Sequence, residues 1–252
     1  MEHTLVCIPF STPALVFASE ALTQAGVSVT ANPGPEVTHL LLPVPSFSAN
    51  GLVNGSTDLN ALLERLPEDT IIFGGNLDHP ALAHRRTWDL LRSPDYLWEN
   101  AAITAHCSLK YILNALPVTL ASQPVLVIGW GRIGKCLAGI LKALGAEVTV
   151  SARKAEDRAM LQALGFAATD CASQRFSAQG FRVVINTVPA PVLAGDTCDP
   201  ACYKLDLASR LGISGEKVVW ARGLPGKDAP ETSGKLIAQT ILPQLYSKEA
   251  VL

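Results

Sequence analysis

The stretch Val125-Leu126-Val127-Ile128-Gly129-Trp130-Gly131-Arg132-Ile133-Gly134 decides the fold. Its first four residues are branched and apolar and read as a buried strand. The helical period from Arg132 to Leu144, closed by Gly145, reads as a helix. Between them falls G-x-G-x-x-G, where a dinucleotide-binding turn requires it. Gly129 allows the tight turn, Gly131 removes the side chain that would block a pyrophosphate, and Gly134 lets helix and strand pack closely. The helix start then aims unpaired amides and the positive end of its dipole at the phosphates. Trp130, Arg132 and Ile133 share this turn and count with it as cofactor-lining residues.

Outward from this turn, short β-rich runs alternate with helical ones, the pattern of a parallel sheet with crossover helices. Downstream, Glu147–Val150, Arg182–Asn186, Tyr203–Leu207 and Lys217–Trp220 read as strands, and Ala155–Leu164 as a helix capped by Gly165. Upstream, strands are expected at Thr4–Ile8, Val27–Thr30, His39–Leu42 and Thr70–Phe73, and helices at Pro13–Ala25, around Leu59–Leu66 and at Ala81–Leu91, followed by Tyr96–Trp98. A helical segment, Ala101–Leu116, leads into the second series. Gly223–Gly226 reads as a tight turn, and a last helix runs from about Thr232 to Leu245. The expectation is an α/β protein: a doubly wound, dinucleotide-binding Rossmann domain over 99–230, and a smaller flavodoxin-like α/β domain over 1–98 that binds substrate. Residues 231–252 are candidates to complete the latter.

Composition narrows the function classes. The chain has 252 residues, 20 Lys+Arg against 22 Asp+Glu, and a net charge of −2. It therefore lacks the basic excess that neutralises a phosphate backbone, and nucleic acid is excluded as a partner. The apolar share is 48% and the charged share 17%, with a mean hydropathy of +0.27; such a charge-poor surface suggests a homo-oligomer. Residues 37–57 and 111–131 carry no Asp, Glu, Lys or Arg, but prolines interrupt both, so no membrane span is expected. Without a basic leader the chain reads as cytoplasmic. The six cysteines form no C-x-x-C pair and read as reduced thiols, with no metal expected.

The end of the second strand selects the dinucleotide. An NAD-type site places Asp or Glu there to accept the ribose 2′-hydroxyl, whereas here the run is Val148-Thr149-Val150-Ser151-Ala152-Arg153-Lys154. Ser151 as a donor and Arg153 and Lys154 as cations favour a 2′-phosphate, hence NADP. Asn186, Thr187, Val188 and Pro189 end the next strand at the carboxyl edge, where open α/β sheets bind ligands. Leu207, Ala208 and Ser209 are the expected neighbours of the nicotinamide. In the same run Asp206 is either a catalytic carboxylate or one that holds the loop, and Arg210 is a cation suited to an acidic substrate. Arg222 and Lys227 are further candidate anchors, and Ser46 and Thr104 candidate neutral donors. His79 and His106 are candidates to relay a proton.

The motifs VLVIGWGRIGK, VSARK, INTVP (185–189), LDLASR (205–210) and GLPGKDAPETSG (223–234), in this order, resemble the A subunit of dipicolinate synthase. The resemblance implies a cytoplasmic oxidoreductase of the mother cell of a spore former, working with a flavoprotein-like B subunit. It implies NADP-dependent oxidation of a small cyclic dicarboxylate of the dihydrodipicolinate type to dipicolinate. The chain departs from the family pattern at His106, where a Glu is expected after Thr104-Ala105, and at Arg210-Leu211-Gly212, where a glycine pair is expected. Two other readings stay open: another two-domain NADP dehydrogenase, shikimate-dehydrogenase-like, and a non-catalytic NADP-binding subunit.

Overall fold

The computed structural model describes residues 4–172 and 177–246; the rest of the stretch 231–252, from 247 on, lies outside the described residues. Its elements begin with β1 (Leu5–Cys7), α1 (Pro13–Gln24), β2 (Ser28–Thr30), β3 (His39–Leu41), α2 (Leu59–Leu63), β4 (Ile71–Gly74), β5 (Thr87–Asp89) and α3 (Pro94–Ala115). Then come β6 (Pro124–Ile128), α4 (Arg132–Ala143), β7 (Glu147–Ser151), α5 (Ala155–Ala163), β8 (Ala167–Thr169), β9 (Val183–Asn186) and β10 (Leu193–Ala194). The last are β11 (Tyr203–Asp206), β12 (Ile213–Ser214), β13 (Val218–Trp220), α6 (Leu224–Asp228) and α7 (Pro230–Leu245). Residues through Asn100 with those from Pro225 onward form one unit, and Ala101–Leu224 form the other.

The first unit is built on a parallel sheet of order β2-β1-β3-β4-β5, the flavodoxin-like arrangement. Side chains alternate between its faces, as the pleat demands. Val6, Leu41 and Phe73 pack on α1 and α7 through Leu15, Leu22, Ile237 and Ile241. Cys7, Leu40, Leu42 and Ile72 pack on the other side with Leu59, Leu62 and Leu63 of α2. Helices α1 and α7 meet at Gly234, where a Cβ would stand 2.3 Å from the Ala14 carbonyl oxygen, so only glycine permits this approach.

Two expectations in this unit are corrected. Ala81–Leu91 is no α-helix: a 3₁₀ turn at Pro80–Leu82 is followed by strand β5 and a second 3₁₀ turn at Leu90–Arg92. Pairing with β4 overrides the helical pattern here, with Trp88 set against Phe73 and Asp89 accepting from the Asn76, Leu77 and Leu91 amides. The helix expected at Ala101–Leu116 begins earlier, at Pro94, so that Tyr96–Trp98 lies in the first turns of α3, a helix of 22 residues.

The second unit carries six parallel strands in the order β13-β11-β9-β6-β7-β8. Counted from β6 this is the 3-2-1-4-5-6 order of the dinucleotide-binding fold. Strands β10 and β12 form a separate parallel pair. Helix α4 packs through Gly134, Leu137, Ala138 and Leu141, the i, i+3, i+4, i+7 face. Register aligns Thr169, Ser151, Ile128, Asn186, Asp206 and Trp220 in one row along the carboxyl edge. The expected tight turn at Gly223–Gly226 is instead taken up by the short helix α6.

Candidate functional site

The turn between β6 and α4 uses its three glycines differently. Gly129 has φ +107, and a Cβ on it would sit 2.4 Å from Thr187 Oγ1. At Gly134 a Cβ would come within 2.1 Å of the Gly129 carbonyl oxygen. A Cβ on Gly131 would meet nothing within 4 Å, so this residue faces open space on the side a ligand approaches. Gly131 is also the N-cap of α4, with no side-chain cap and no acidic residue in the first turn. The unpaired amides of Arg132, Ile133 and Gly134 thus keep their affinity for an anion. Trp130 lies edge-on to Phe166, their centroids 6.0 Å apart, which ties the turn to the α5–β8 connection. Its indole Nε1 is buried without a hydrogen-bond partner.

A cavity of about 560 Å³ opens beside this turn, walled by Gly129–Gly131, Ser151–Lys154, Cys171 and Val188 among others. That volume suits a nucleotide, and the residues present fit a dinucleotide: an open glycine at the helix start, an apolar wall and cations at the rim. Arg153 and Lys154 are exposed there, and among the described residues neither side chain has a partner. Ser151 is buried; its hydroxyl accepts from the Cys171 amide at 3.0 Å and also meets the Cys171 thiol. Burial pushes that thiol up to about 11, so it stays protonated at neutral pH.

Sequence reasoning missed Arg158. Its guanidinium donates to the Ala152 and Arg153 carbonyl oxygens, each at 2.7 Å, and pairs with Asp170 at 3.2 Å. It fixes the ends of β7 and β8 that form the cavity rim. Nothing local in the sequence marks this role, because the partners become neighbours only through strand pairing.

At the other end of the row the polar side chains hold the backbone. The Asp206 carboxylate is fully buried and accepts from Asn186 Nδ2 (3.0 Å) and from the amides of Ala208 (3.0 Å), Gly212 (2.8 Å) and Ile213 (3.0 Å). These bonds are the arrangement that the loop-holding role requires. Asn186 also donates to the Val188 carbonyl and accepts from the Val188 amide, each at 2.9 Å, so its amide offers nothing further. The Thr187 hydroxyl donates to the Ile128 carbonyl at 2.9 Å. Val188 lines the cavity wall, and Pro189 is exposed beside it. Leu207 and Ala208 are buried, whereas Ser209 and Arg210 are exposed.

The remaining candidates separate. Thr104 is buried and His106 exposed on α3. Residues two apart point to different sides of a helix, so these do not act as a pair. In the first unit Ser46 is buried, donating to the Pro43 carbonyl at 2.8 Å and accepting from the Gly75 amide at 3.0 Å, which leaves it no donor for a substrate. His79 stacks on Phe47 and accepts from the Ala81 amide through Nδ1 at 3.2 Å. With Nδ1 accepting, the ring proton sits on Nε2, which presents a donor. Lys227 lies on α6, in the first unit.

Fold and turn together are those of a pyridine-nucleotide-binding fold, and residues 124–197 match the family model described as pyridine nucleotide-disulphide oxidoreductase. Along most of its length the chain resembles the A subunit of dipicolinate synthase. It is 28% identical over 240 residues to that protein of Bacillus subtilis (strain 168), covering 86% of this chain and 81% of the relative. In fold it is similar to the crystal structure of the dipicolinate synthase A subunit from Bacillus halodurans, with a TM-score of 0.85 at 22% identity over 97% of this chain and 98% of that one. The crystal structure of the Bacillus subtilis protein gives a TM-score of 0.80 at 23% identity, over 97% of both chains. Among the described residues no helix is long and apolar enough to cross a membrane.

Proposed function

We propose that the chain is an NADP-dependent oxidoreductase of the dipicolinate synthase type, oxidising a cyclic dicarboxylate of the dihydrodipicolinate class in the cytoplasm of a sporulating mother cell. The observation that carries the cofactor reading is the rim of the cavity at the end of β7. Exposed Arg153 and Lys154 stand there, and no carboxylate ends the strand. Of the two acidic residues on the wall, Asp170 is neutralised by Arg158, and Asp157 lies in the first turn of α5 at its positive end.

When bound, oxidised NADP supplies the acceptor for a hydride; the ring also loses a proton, which leaves to His106 or to water. The chain's part is positioning. The α4 amides hold the diphosphate, and Arg153 and Lys154 hold the 2′-phosphate. The backbone of Asn186–Pro189 and Leu207–Ser209, fixed by the Asp206 carboxylate, lies along the nicotinamide side.

One charge-assisted hydrogen bond contributes about 1.5–3 kcal/mol, so NADPH should bind roughly ten- to a hundredfold more tightly than NADH. Calorimetry with both coenzymes tests this, and equal affinities sink the NADP assignment. Turnover is followed at the nicotinamide absorbance with dihydrodipicolinate generated in situ. A second reading, a non-catalytic NADP-binding subunit, is favoured by one observation: Asp206 and Asn186 are fully occupied inside the unit. Activity only in the presence of a flavoprotein-like B subunit would support it.

A further inference from the structure

Strand β13 is the edge strand of the second unit's sheet, and its last residue, Trp220, pairs in register with Asp206. The row along the carboxyl edge therefore runs from Ser151, on the side of Arg153 and Lys154, past Ile128 and the glycine turn to Asn186, Asp206 and Trp220. Trp220 stands three strands from Ile128, roughly 14 Å at the usual spacing. A dinucleotide held with its diphosphate on α4 and its 2′-phosphate beyond Ser151 would have its other end on the side of Asp206 and Trp220. What adjoins Trp220 therefore lies on the side where a substrate would meet the nicotinamide.

Trp220 is a large apolar residue that remains 44% exposed. Its ring is nevertheless fixed, because indole Nε1 donates to the Ala208 carbonyl at 2.9 Å, in the loop beside the nicotinamide side. The Arg222 guanidinium lies over that ring, its Cζ 5.0 Å from the centroid. Among the described residues Arg222 has no carboxylate partner. A planar guanidinium held on an aromatic face, with N–H groups that no described residue engages, is pre-organised for two-pronged binding of a carboxylate. Arg210 is exposed without such a support.

We propose that Arg222 binds one carboxylate of the substrate and that Trp220 is its positioning residue. The ring sets the guanidinium, and the Ala208 hydrogen bond ties its place to the loop beside the nicotinamide. This assignment rests on the cyclic-dicarboxylate reading above and gives its substrate a specific anchor.

The test is calorimetry on the NADPH-loaded chain with dipicolinate and with picolinate, the ring acid that has one carboxylate. The unaltered chain should prefer dipicolinate. Arg222→Met should weaken dipicolinate about ten- to a hundredfold and erase the preference over picolinate, with NADPH affinity and melting temperature unchanged. Trp220→Leu should weaken dipicolinate about two- to fivefold and raise KM rather than lower kcat, and Trp220→Phe, which keeps a ring face, should restore part of the loss. Dipicolinate binding unchanged in Arg222→Met and Trp220→Leu overturns this proposal alone. An unaltered chain that binds NADPH but neither binds nor turns over the dicarboxylate overturns the functional reading, and this proposal with it.

Discussion

Replacing Asp206 by Asn separates a structural carboxylate from a catalytic one. Oδ2 accepts from Asn186 Nδ2, the Gly212 amide and the Ile213 amide, and Oδ1 accepts from the Ala208 amide. A carboxamide has one oxygen. Its better orientation keeps that oxygen among the three donors and turns its NH₂ toward the Ala208 N–H, donor against donor. The change loses one hydrogen bond to a charged group, about 1.5–3 kcal/mol, and strands a buried amide at a further cost of about 1–3 kcal/mol. Asp206→Asn should therefore lower unfolding stability by roughly 3–5 kcal/mol, and Asp206→Ala, which strands all four donors, by more. Urea titration followed by fluorescence measures this, and turnover is normalised to the folded fraction. A variant within about 0.5 kcal/mol of the unaltered chain, yet inactive, would refute the loop-holding account and make Asp206 a catalytic group.

Three further outcomes follow from the geometry. Gly131→Ala should melt like the unaltered chain but lose NADPH affinity, because its Cβ enters open space where the diphosphate approaches, whereas Gly134→Ala, 2.1 Å from a backbone oxygen, should lose both; equal melting of the two would contradict this. His39 is buried, its Nδ1 donating to Thr38 Oγ1 at 2.8 Å because the one Thr38 hydroxyl proton goes to Leu5; burial and then Arg86 lower its pKa from 6.5 to about 4. The unfolded chain therefore binds the extra proton first. The contribution is complete above pH 6.5 and fades as pH falls through about 4, roughly 3 kcal/mol in all. Urea unfolding across that range should slope accordingly, and His39→Asn should flatten it. His79→Asn, which keeps an acceptor for the Ala81 amide, should retain both melting temperature and turnover; a loss on the order of 10²-fold would make His79 a base after all.

The sequence makes the second unit legible because its signals are local. A β-branched strand, three glycines with separate steric duties and a strongly amphipathic α4 lie within twenty residues of one another. Strand β8 leaves no such trace: Ala167-Ala168-Thr169 is too short and too weakly apolar for a period of two to register, and it exists because β7 offers it an edge. Strand β5 is hidden for the same reason, its residues having a helical look that only pairing with β4 overrides. The start of α3 is masked because aromatic residues favour strands, while Pro94 sets the helix start ahead of them.

The site is legible by residue type but not by occupancy. Ser151, Asn186 and Asp206 sit on the row along the carboxyl edge and Thr187 follows directly after it, yet each has its polar atoms engaged by the protein itself, and only three-dimensional pairing reveals this. Those bonds hold the backbone in place, which suits a protein whose ligand is gripped by amides. Among the described residues, the side chains beside the row that have no carboxylate partner include cations, Arg153 and Lys154 near one end and Arg222 near the other, with the positive end of α4 between them. Such an order complements two anionic ligands laid end to end, one phosphorylated at its far ribose and one carrying a carboxylate. The pattern makes a separable forecast: removing charge at either end should weaken one ligand and spare the other, because the ends stand farther apart than the roughly 8 Å over which physiological salt leaves exposed charges coupled.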